Sequence, residues 1–390
     1  MLVSKKLPFY WRAVKNNDEN RIAKFLDFSF TYSKKYNYIH QKISNKLKSQ
    51  LSLMYKLNAN IGHSHANNSF NLPYTKELIR FIISNSKKGD KILDIGCGGG
   101  LIAHYLQKLN YNVTGIDPSR FAKKQCKKLK IKLINDFFPS DKINEKFDII
   151  FCVDVFEHIE NPVKFLLNCK KFLKKNGKIL ISIPDETKSF KLGDSSMAMH
   201  QHINYFEKNT ILNVLTHAGI KLKNLNYSSW GGSINLSALV PKVQKINKIF
   251  NSQLLYSKYK KKAEKNRRKI IYILDYLNKN NYTFGFYAPK RAFPYIFFKK
   301  NNYTYRLFDD NPLVYKKKID GCEIVFENTV DFLKKPTDII FIFSLSFGDI
   351  IKKRLIKRKI KSTSIFTLKD MLILSKENLI KKIKFSVKKI

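Results

Sequence analysis

The chain has 390 residues, 44% of them hydrophobic, and this length predicts two folded domains, each with its own core. A formal net charge of +44 would usually indicate nucleic acid or an anionic membrane, but lysine, asparagine and isoleucine are abundant throughout, which indicates a compositional bias instead. Five scattered cysteines without a C-x-x-C pair argue against a zinc module or a disulfide framework, and no apolar stretch is long enough to span a bilayer. We therefore expect a soluble, cytoplasmic protein without a nucleic-acid partner.

The N-terminal segment, residues 1–74, is basic and rich in tyrosine and phenylalanine. Apolar residues at 22, 25, 26 and 28 follow helical spacing in short pieces. We predict a basic helical cap over 1–74. Its charge either faces an anionic partner or forms a solvated helix face.

The next segment, residues 75–240, alternates strand and helix patterns from Lys91 onward. This alternation predicts a parallel sheet with helices on both faces, completed as seven strands by an antiparallel final hairpin. The fold class is therefore α/β, with a Rossmann-like sheet. The predicted strands are 91–96, 112–117, 131–135, 148–153, 178–183, 220–228 and 232–240, and the predicted helices are 100–109, 119–129, 161–174 and 207–218.

The remainder of the chain opens with a strongly basic, helix-compatible connector at 241–280. A second alternating pattern over 281–370 predicts a smaller α/β domain of Rossmann-like type. Residues 371–390 form a basic, amphipathic tail.

A glycine-rich turn at 96–100 is the most informative feature of the sequence. An apolar strand ends in these glycines, a helix pattern follows at once, and Asp117 closes the next strand 21 positions after Gly96. Glycines let the backbone approach a ligand, helix N–H groups face it, and Asp117 would accept both ribose hydroxyls. The layout alone fits NAD or S-adenosylmethionine (SAM), and glycines that serve only packing would look the same.

The sequence DIGCGGG over 94–100 resembles the first motif of class I SAM-dependent methyltransferases, in which an acidic residue stands two positions before the first glycine. The segments 147–159, with its Asp-Val-Phe-Glu-His, and 173–179 resemble the fourth-strand and fifth-strand motifs of the same class. The resemblance implies SAM as the cofactor. The cofactor-binding residues that it implies are Asp94, Gly96, Cys97, Gly98, Asp117, Asp136, Asp154 and Val155.

Asp154 and Val155 leave the sheet near its switch point, where open parallel sheets bind ligands. Asp136 falls where this superfamily places an acid against the adenine amino group. A helix cap would explain Asp136 equally well.

The segment HQHINYF over 200–206 resembles a narrower family, the sugar C-methyltransferases that act on nucleotide-linked deoxysugars. The similarity extends through the Gly-Gly-Ser at 231–233 to the Asp-Asp-Asn-Pro at 309–312 and Gly321. It implies His202 as a general base, with His200 as a weaker candidate and Tyr205 beside them. Alternatively, His202 only fixes the segment 184–206 through a hydrogen bond.

The chain also departs from that family. Residues 1–75 hold no cysteine for its zinc module, and Gln201 and Met199 replace two polar positions. We therefore leave O-, N- and C-methylation open. Tyr287 replaces a glycine, so the second domain is not expected to bind its own dinucleotide.

The function expected from the sequence is methylation of a sugar or nucleotide-sugar in surface-polysaccharide or secondary-metabolite biosynthesis. One alternative is methylation of RNA or of another small molecule. The other is a non-catalytic scaffold that keeps the fold. No metal ligand is predicted, and the oligomeric state is not readable.

Overall fold

The protein is described by a computed structural model over residues 1–9, 22–56, 72–241, 249–297, 303–312, 314–318, 324–361 and 364–387. The chain forms two compact units, neither of which is one continuous segment. The first unit holds residues 32–185 and 201–253, and the second holds 1–31, 186–200 and 254–390.

Strands and helices alternate through most of both units. Short 3₁₀ turns occupy Phe156–His158 and Pro289–Ala292. In chain order the elements are β1 (Leu2–Pro8), β2 (Phe25–Ser33), β3 (Tyr38–Gln41), α1 (Asn45–Lys56), α2 (Leu72–Asn85), β4 (Lys91–Ile95), α3 (Leu101–Lys108), β5 (Asn112–Ile116), α4 (Arg120–Leu129), β6 (Lys132–Ile134), β7 (Phe147–Val153), α5 (Pro162–Phe172), β8 (Leu173–Pro184), α6 (Thr187–Leu192), β9 (Asn204–Tyr205), α7 (Lys208–His217), β10 (Lys221–Tyr227), β11 (Ser233–Leu239), α8 (Gln253–Lys279), β12 (Phe284–Tyr287), α9 (Phe293–Ile296), β13 (Tyr305–Phe308), β14 (Phe326–Glu327), α10 (Thr329–Lys334), β15 (Ile339–Ile342), α11 (Gly348–Lys357), β16 (Ile365–Thr367), α12 (Leu368–Ile373) and α13 (Lys376–Val387).

The first unit contains the predicted seven-stranded sheet, in the order β10-β11-β8-β7-β4-β5-β6. Strands β4 to β8 are parallel, and β11 runs antiparallel to both β8 and β10. Buried residues such as Leu93 and Ile181 pack into one hydrophobic cluster, while Ile92 and Leu180 pack into another. The two clusters correspond to the two helix-covered faces of a parallel sheet, so the α/β Rossmann-like prediction is confirmed.

The prediction of a helical cap over 1–74 is wrong for its first part. Strands β1 and β2 pair antiparallel in the second unit, and β3 pairs antiparallel with β9 in the first unit. Phe28 and Phe30 are buried whereas Asp27 is exposed, which is the period of two that a half-buried strand requires. The helical spacing at 22, 25 and 26 was coincidental. Helix α1 lies within the predicted cap, and residues 57–71 lie outside the described part of the chain.

The second unit contains a parallel five-stranded sheet in the order β14-β13-β12-β15-β16. Helix α8 occupies most of the described part of the predicted basic connector, from Gln253 onward. The predicted tail is not a separate segment, because Leu379 and Ile383 of α13 are fully buried. Among the described helices, none has the length and apolar character that crossing a bilayer requires.

Candidate functional site

The glycine turn follows β4 at the carboxyl edge of the seven-stranded sheet. Gly96, Gly98 and Gly100 have φ angles of 72°, 53° and 73°, which lie in the left-handed region that favours glycine. A Cβ added at Gly96 would stand 2.4 Å from Cγ2 of Val155. The turn therefore has no space for a larger residue at its first glycine, and Val155 forms the wall opposite it.

Asp117 lies at the end of the neighbouring strand β5 and is bonded to this turn. The amide of Gly98 donates to Asp117 Oδ2 at 3.0 Å, and the amide of Ser119 donates to Oδ1 at 2.9 Å. An ionised carboxylate has about four acceptor positions, so two remain for other donors. Binding of the two ribose hydroxyls at these positions stays a prediction for Asp117.

Asp94 precedes the turn at the end of β4, and Cys97 lies within the turn. Asp94 is buried, and its pKa is raised well above the usual range, chiefly by burial and then by Cys126 and Asp117. A nearby cation would favour its charged form. Cys97 packs against β5, since a Cβ added at Gly115 would stand 2.6 Å from its Sγ.

Asp154 adopts an unusual backbone conformation just beyond β7. Its φ of 52° is left-handed although it is not glycine, and such strain concentrates at functional sites. The amide of Asp154 donates to Ser182 O at 3.0 Å, and Tyr74 donates its hydroxyl to Asp154 Oδ1 at 3.3 Å. Tyr74, which the sequence did not single out, thus brings the first turn of α2 to the carboxyl edge of the sheet.

Asp136 stabilises a turn between β6 and β7, where the described residues form no helix, so the helix cap considered from the sequence is wrong. Its Oδ1 accepts the amide of Phe137 at 2.8 Å, and its Oδ2 accepts the Ser140 hydroxyl at 2.9 Å. These bonds, with Lys142 at 3.3 Å, lower the pKa of this partly exposed carboxyl. Contact with adenine stays a prediction for Asp136.

His202 lies beside a buried acid. Its Nε2 is 3.9 Å from Oε1 of Glu157, and His158 Nε2 is 3.6 Å from the same oxygen. Backbone bonds fix this arrangement, because Ile203 donates to the Glu157 carbonyl at 2.8 Å and Gln41 donates to the Ile203 carbonyl at 2.7 Å. The histidine is therefore held next to the turn that follows Asp154.

The structure brings together a cluster that the sequence did not predict, formed by Glu157, His158 and His202. One ligand atom from each lies within 4.8 Å of the others. Such a set can share a proton or, with its nitrogen and oxygen donors, hold a divalent cation. The forty-odd residues between the Glu-His pair and His202 leave no local spacing that would have indicated it.

His158 also has a structural role. Its Nδ1 is 2.6 Å from the carbonyl oxygen of Gln201 and 3.1 Å from the hydroxyl of Tyr55. Burial lowers its pKa, which favours the neutral ring. Tyr205 is also buried, with its ring centroid 6.3 Å from that of His202, and it packs there as a core residue of β9.

His200 is placed differently from the expectation. It belongs to the second unit, is fully buried, and has Phe9 and Phe28 rings 5.4 Å from its own. Burial lowers its pKa to about 4. The structure therefore supports a packing role for His200 and gives no support to a catalytic one.

Comparison with known proteins supports the interpretation of the glycine turn as part of a methyltransferase domain. A family model described as a methyltransferase domain matches residues 69–224. The ubiquinone biosynthesis O-methyltransferase of Rickettsia canadensis is 31% identical over 182 residues, which cover 42% of this chain and 76% of the relative. That of Rickettsia typhi is 28% identical over 218 residues, covering 49% and 87%.

Among solved structures, the N-methyltransferase NodS from Bradyrhizobium japonicum in complex with S-adenosyl-L-homocysteine is 18% identical, with a TM-score of 0.39. It matches 50% of this chain and 99% of its own.

These relatives overturn one expectation from the sequence. They are named as O-methyltransferases of ubiquinone biosynthesis. The expectation that this chain methylates a sugar or nucleotide-sugar in carbohydrate biosynthesis is therefore wrong. Motifs in the segment 200–233 had suggested the sugar C-methyltransferases. However, His200 is buried in the core, and residues 1–75 contain no cysteine that could form the zinc module of that family. The chain is an enzyme that uses S-adenosylmethionine, and it belongs to the class I S-adenosylmethionine-dependent methyltransferases.

Proposed function

We propose that this enzyme transfers a methyl group to a hydroxyl oxygen of a small organic molecule. The observation that carries the proposal is the pairing of His202 with the buried Glu157, on the turn that follows Asp154. The names of the Rickettsia relatives support oxygen as the methylated atom.

The residues of the glycine turn fit the cofactor. The left-handed glycines of the turn let the backbone approach a ligand closely, and Asp117 has acceptor positions for ribose hydroxyls. A cationic amino group bound beside Asp94 would favour the charged form of this carboxyl, whose pKa is otherwise raised by burial. SAM, when bound, supplies a methyl group already activated by its positive sulfur.

Since the methyl group needs no further activation, the protein must orient the acceptor and remove its proton. Orientation contributes up to about 7–11 kcal/mol in favourable systems. His202 would accept the proton of the acceptor hydroxyl, and a positioned base of this kind contributes roughly 10²–10⁴-fold. The Glu157 carboxylate then stabilises the imidazolium, because its Oε1 is 3.9 Å from Nε2.

The proposal is tested by measuring S-adenosylhomocysteine formation with small phenols, catechols and hydroxy acids, and with simple amines for comparison. Each hydroxyl compound is paired with its own methyl ether, in which the reacting hydroxyl is already blocked. Turnover with a hydroxyl compound and none with its ether supports transfer to oxygen. Equal turnover with both, or turnover only with amines, would overturn it.

A further inference from the structure

An open cleft of about 570 Å³ lies between helix α2 and the hairpin of β10 and β11. The residues that line it have no part in the methyl transfer proposed above. Leu72 and Pro73 form its apolar end, and Tyr227, with 56% of its surface exposed, contributes an aromatic face. Lys76 and Arg80 stand one helical turn apart on α2 and line the same cleft.

A clamp holds the two walls of the cleft together. Glu77 Oε2 accepts the amide of Ser229 at 3.1 Å and the Ser229 hydroxyl at 2.5 Å. Its other oxygen, Oε1, accepts the side-chain amide of Asn235 at 3.3 Å. The wall geometry is therefore built by specific bonds between α2 and the hairpin.

The charge balance of the cleft lining is positive. Glu77 is its one acid, and the three donors of the clamp occupy that carboxylate. Within the described part of the chain, Lys76 and Arg80 form neither a salt bridge nor a side-chain hydrogen bond. Two cations beside an aromatic face suit a ligand that carries an oxyanion on an apolar or aromatic body.

The cleft opens at the same edge of the sheet as the candidate cofactor site. Its helix is joined to that edge through Tyr74, which bonds Asp154. Its hairpin begins where Ser233 pairs with Pro184, at the end of β8, and β8 lies directly beside β7. A molecule held in the cleft would therefore extend along the edge toward Asp154.

We propose that this cleft binds the anionic group of the methyl acceptor, a carboxylate or a phosphate on an amphipathic body, through Lys76 and Arg80. The proposal rests on the proposed function, because it assigns the cleft to the same acceptor. It narrows the acceptor from any small hydroxyl compound to organic acids.

The test is equilibrium binding by calorimetry to the full chain saturated with S-adenosylhomocysteine. The probes, used at about pH 6, are 3,4-dihydroxybenzoate, its partner 3,4-dihydroxybenzaldehyde, which is uncharged at that pH, and phenyl phosphate. The proteins are wild type, the double variant Lys76→Gln/Arg80→Gln, and the single variant Lys88→Gln as a control for the loss of charge outside the cleft. Circular dichroism and S-adenosylhomocysteine affinity show whether each variant is folded.

We expect wild type and Lys88→Gln to bind an anionic probe about tenfold or more tightly than the aldehyde. The double variant should lose that preference and keep its affinity for S-adenosylhomocysteine. The anionic probe that binds wild type more tightly shows whether the cleft prefers a carboxylate or a phosphate group.

Equal binding of acid and aldehyde by wild type, absence of anion binding, or an unchanged preference in the folded double variant would overturn the proposal. These outcomes are independent of turnover. If the methyl group went to nitrogen while the anion preference held, the proposed function would fail and the cleft assignment would stand.

Discussion

The amide of Gly98 donates a 3.0 Å hydrogen bond to the carboxylate of Asp117, which joins the glycine turn after β4 to the acid after β5. This bond directly joins the turn that would face the cofactor to the acid that would hold its ribose. A substitution at either residue should therefore alter the position of the other.

Replacing Asp117 with alanine should weaken SAM binding by a large factor. Each hydrogen bond to a charged acceptor is worth about 1.5–3 kcal/mol, so losing two predicts a loss of at least roughly 100-fold. Calorimetry measures the affinity, with Asp117→Asn as an isosteric variant and the exposed Asp141→Ala as a control. Wild-type affinity in a folded Asp117→Ala protein would remove the acid from the site.

Gly96→Ala should lower both SAM affinity and stability. Its Cβ would meet Val155 Cγ2 at 2.4 Å, and the backbone there has a φ of 72°. The second substitution Val155→Ala removes the steric clash but not the backbone strain, which costs about 1–3 kcal/mol. Chemical denaturation of the two single variants and the double variant measures the coupling. If the two effects are additive, the contact between these side chains is not the cause.

His202→Ala should reduce kcat by roughly 10²–10⁴-fold and leave the SAM dissociation constant unchanged. The reason is that the imidazole removes the acceptor proton and has no part in holding the cofactor. The acidic limb of the pH profile of kcat should disappear in the variant. His158→Ala is the comparison for damage to the cluster, and its SAM affinity and stability should be measured alongside. Loss of SAM binding in His202→Ala would indicate a structural role.

His200 should make the fold sensitive to acid. Its pKa of about 4 in the folded protein is below its ordinary value, so the unfolded chain binds more protons between these two values. Its contribution is present above roughly pH 6.5 and is lost as the pH falls toward 4, by about 2 kcal/mol at pH 5.

The substitution His200→Phe, between Phe9 and Phe28, should remove that dependence. Urea denaturation at pH 7 and pH 5 gives the free energy of unfolding for both proteins. Wild type should lose about 2 kcal/mol more than the variant between these values. An equal loss in both would show that His200 titrates normally.

The sheet of the first unit was predictable because its strands are short apolar runs that end at turns, and the glycines at 96, 98 and 100 mark positive φ angles. The N-terminal strands were not, because the aromatic residues around Phe28 matched a helical period in pieces. Only the alternation of Phe28 and Phe30 with exposed Asp27 indicated a strand.

The site was predictable where one local motif carries it and not where distant segments meet. Asp117 could be placed from its distance to Gly96. The cluster of His202 with Glu157 depends on pairing between β3 and β9, which leaves no signal at short range. Asp194 shows the same limit within the second unit, where it accepts the hydroxyl of Tyr295 at 2.9 Å across 101 positions.

The most direct test of the proposed function uses SAM labelled with ¹³C in its methyl group. The full chain is incubated with a mixture of catechols, hydroxy acids and amines, and the products are followed by carbon NMR. We expect the label to appear at the chemical shift of an oxygen-bound methyl group. Label that appears only in nitrogen-bound or carbon-bound methyl groups would contradict transfer to a hydroxyl oxygen.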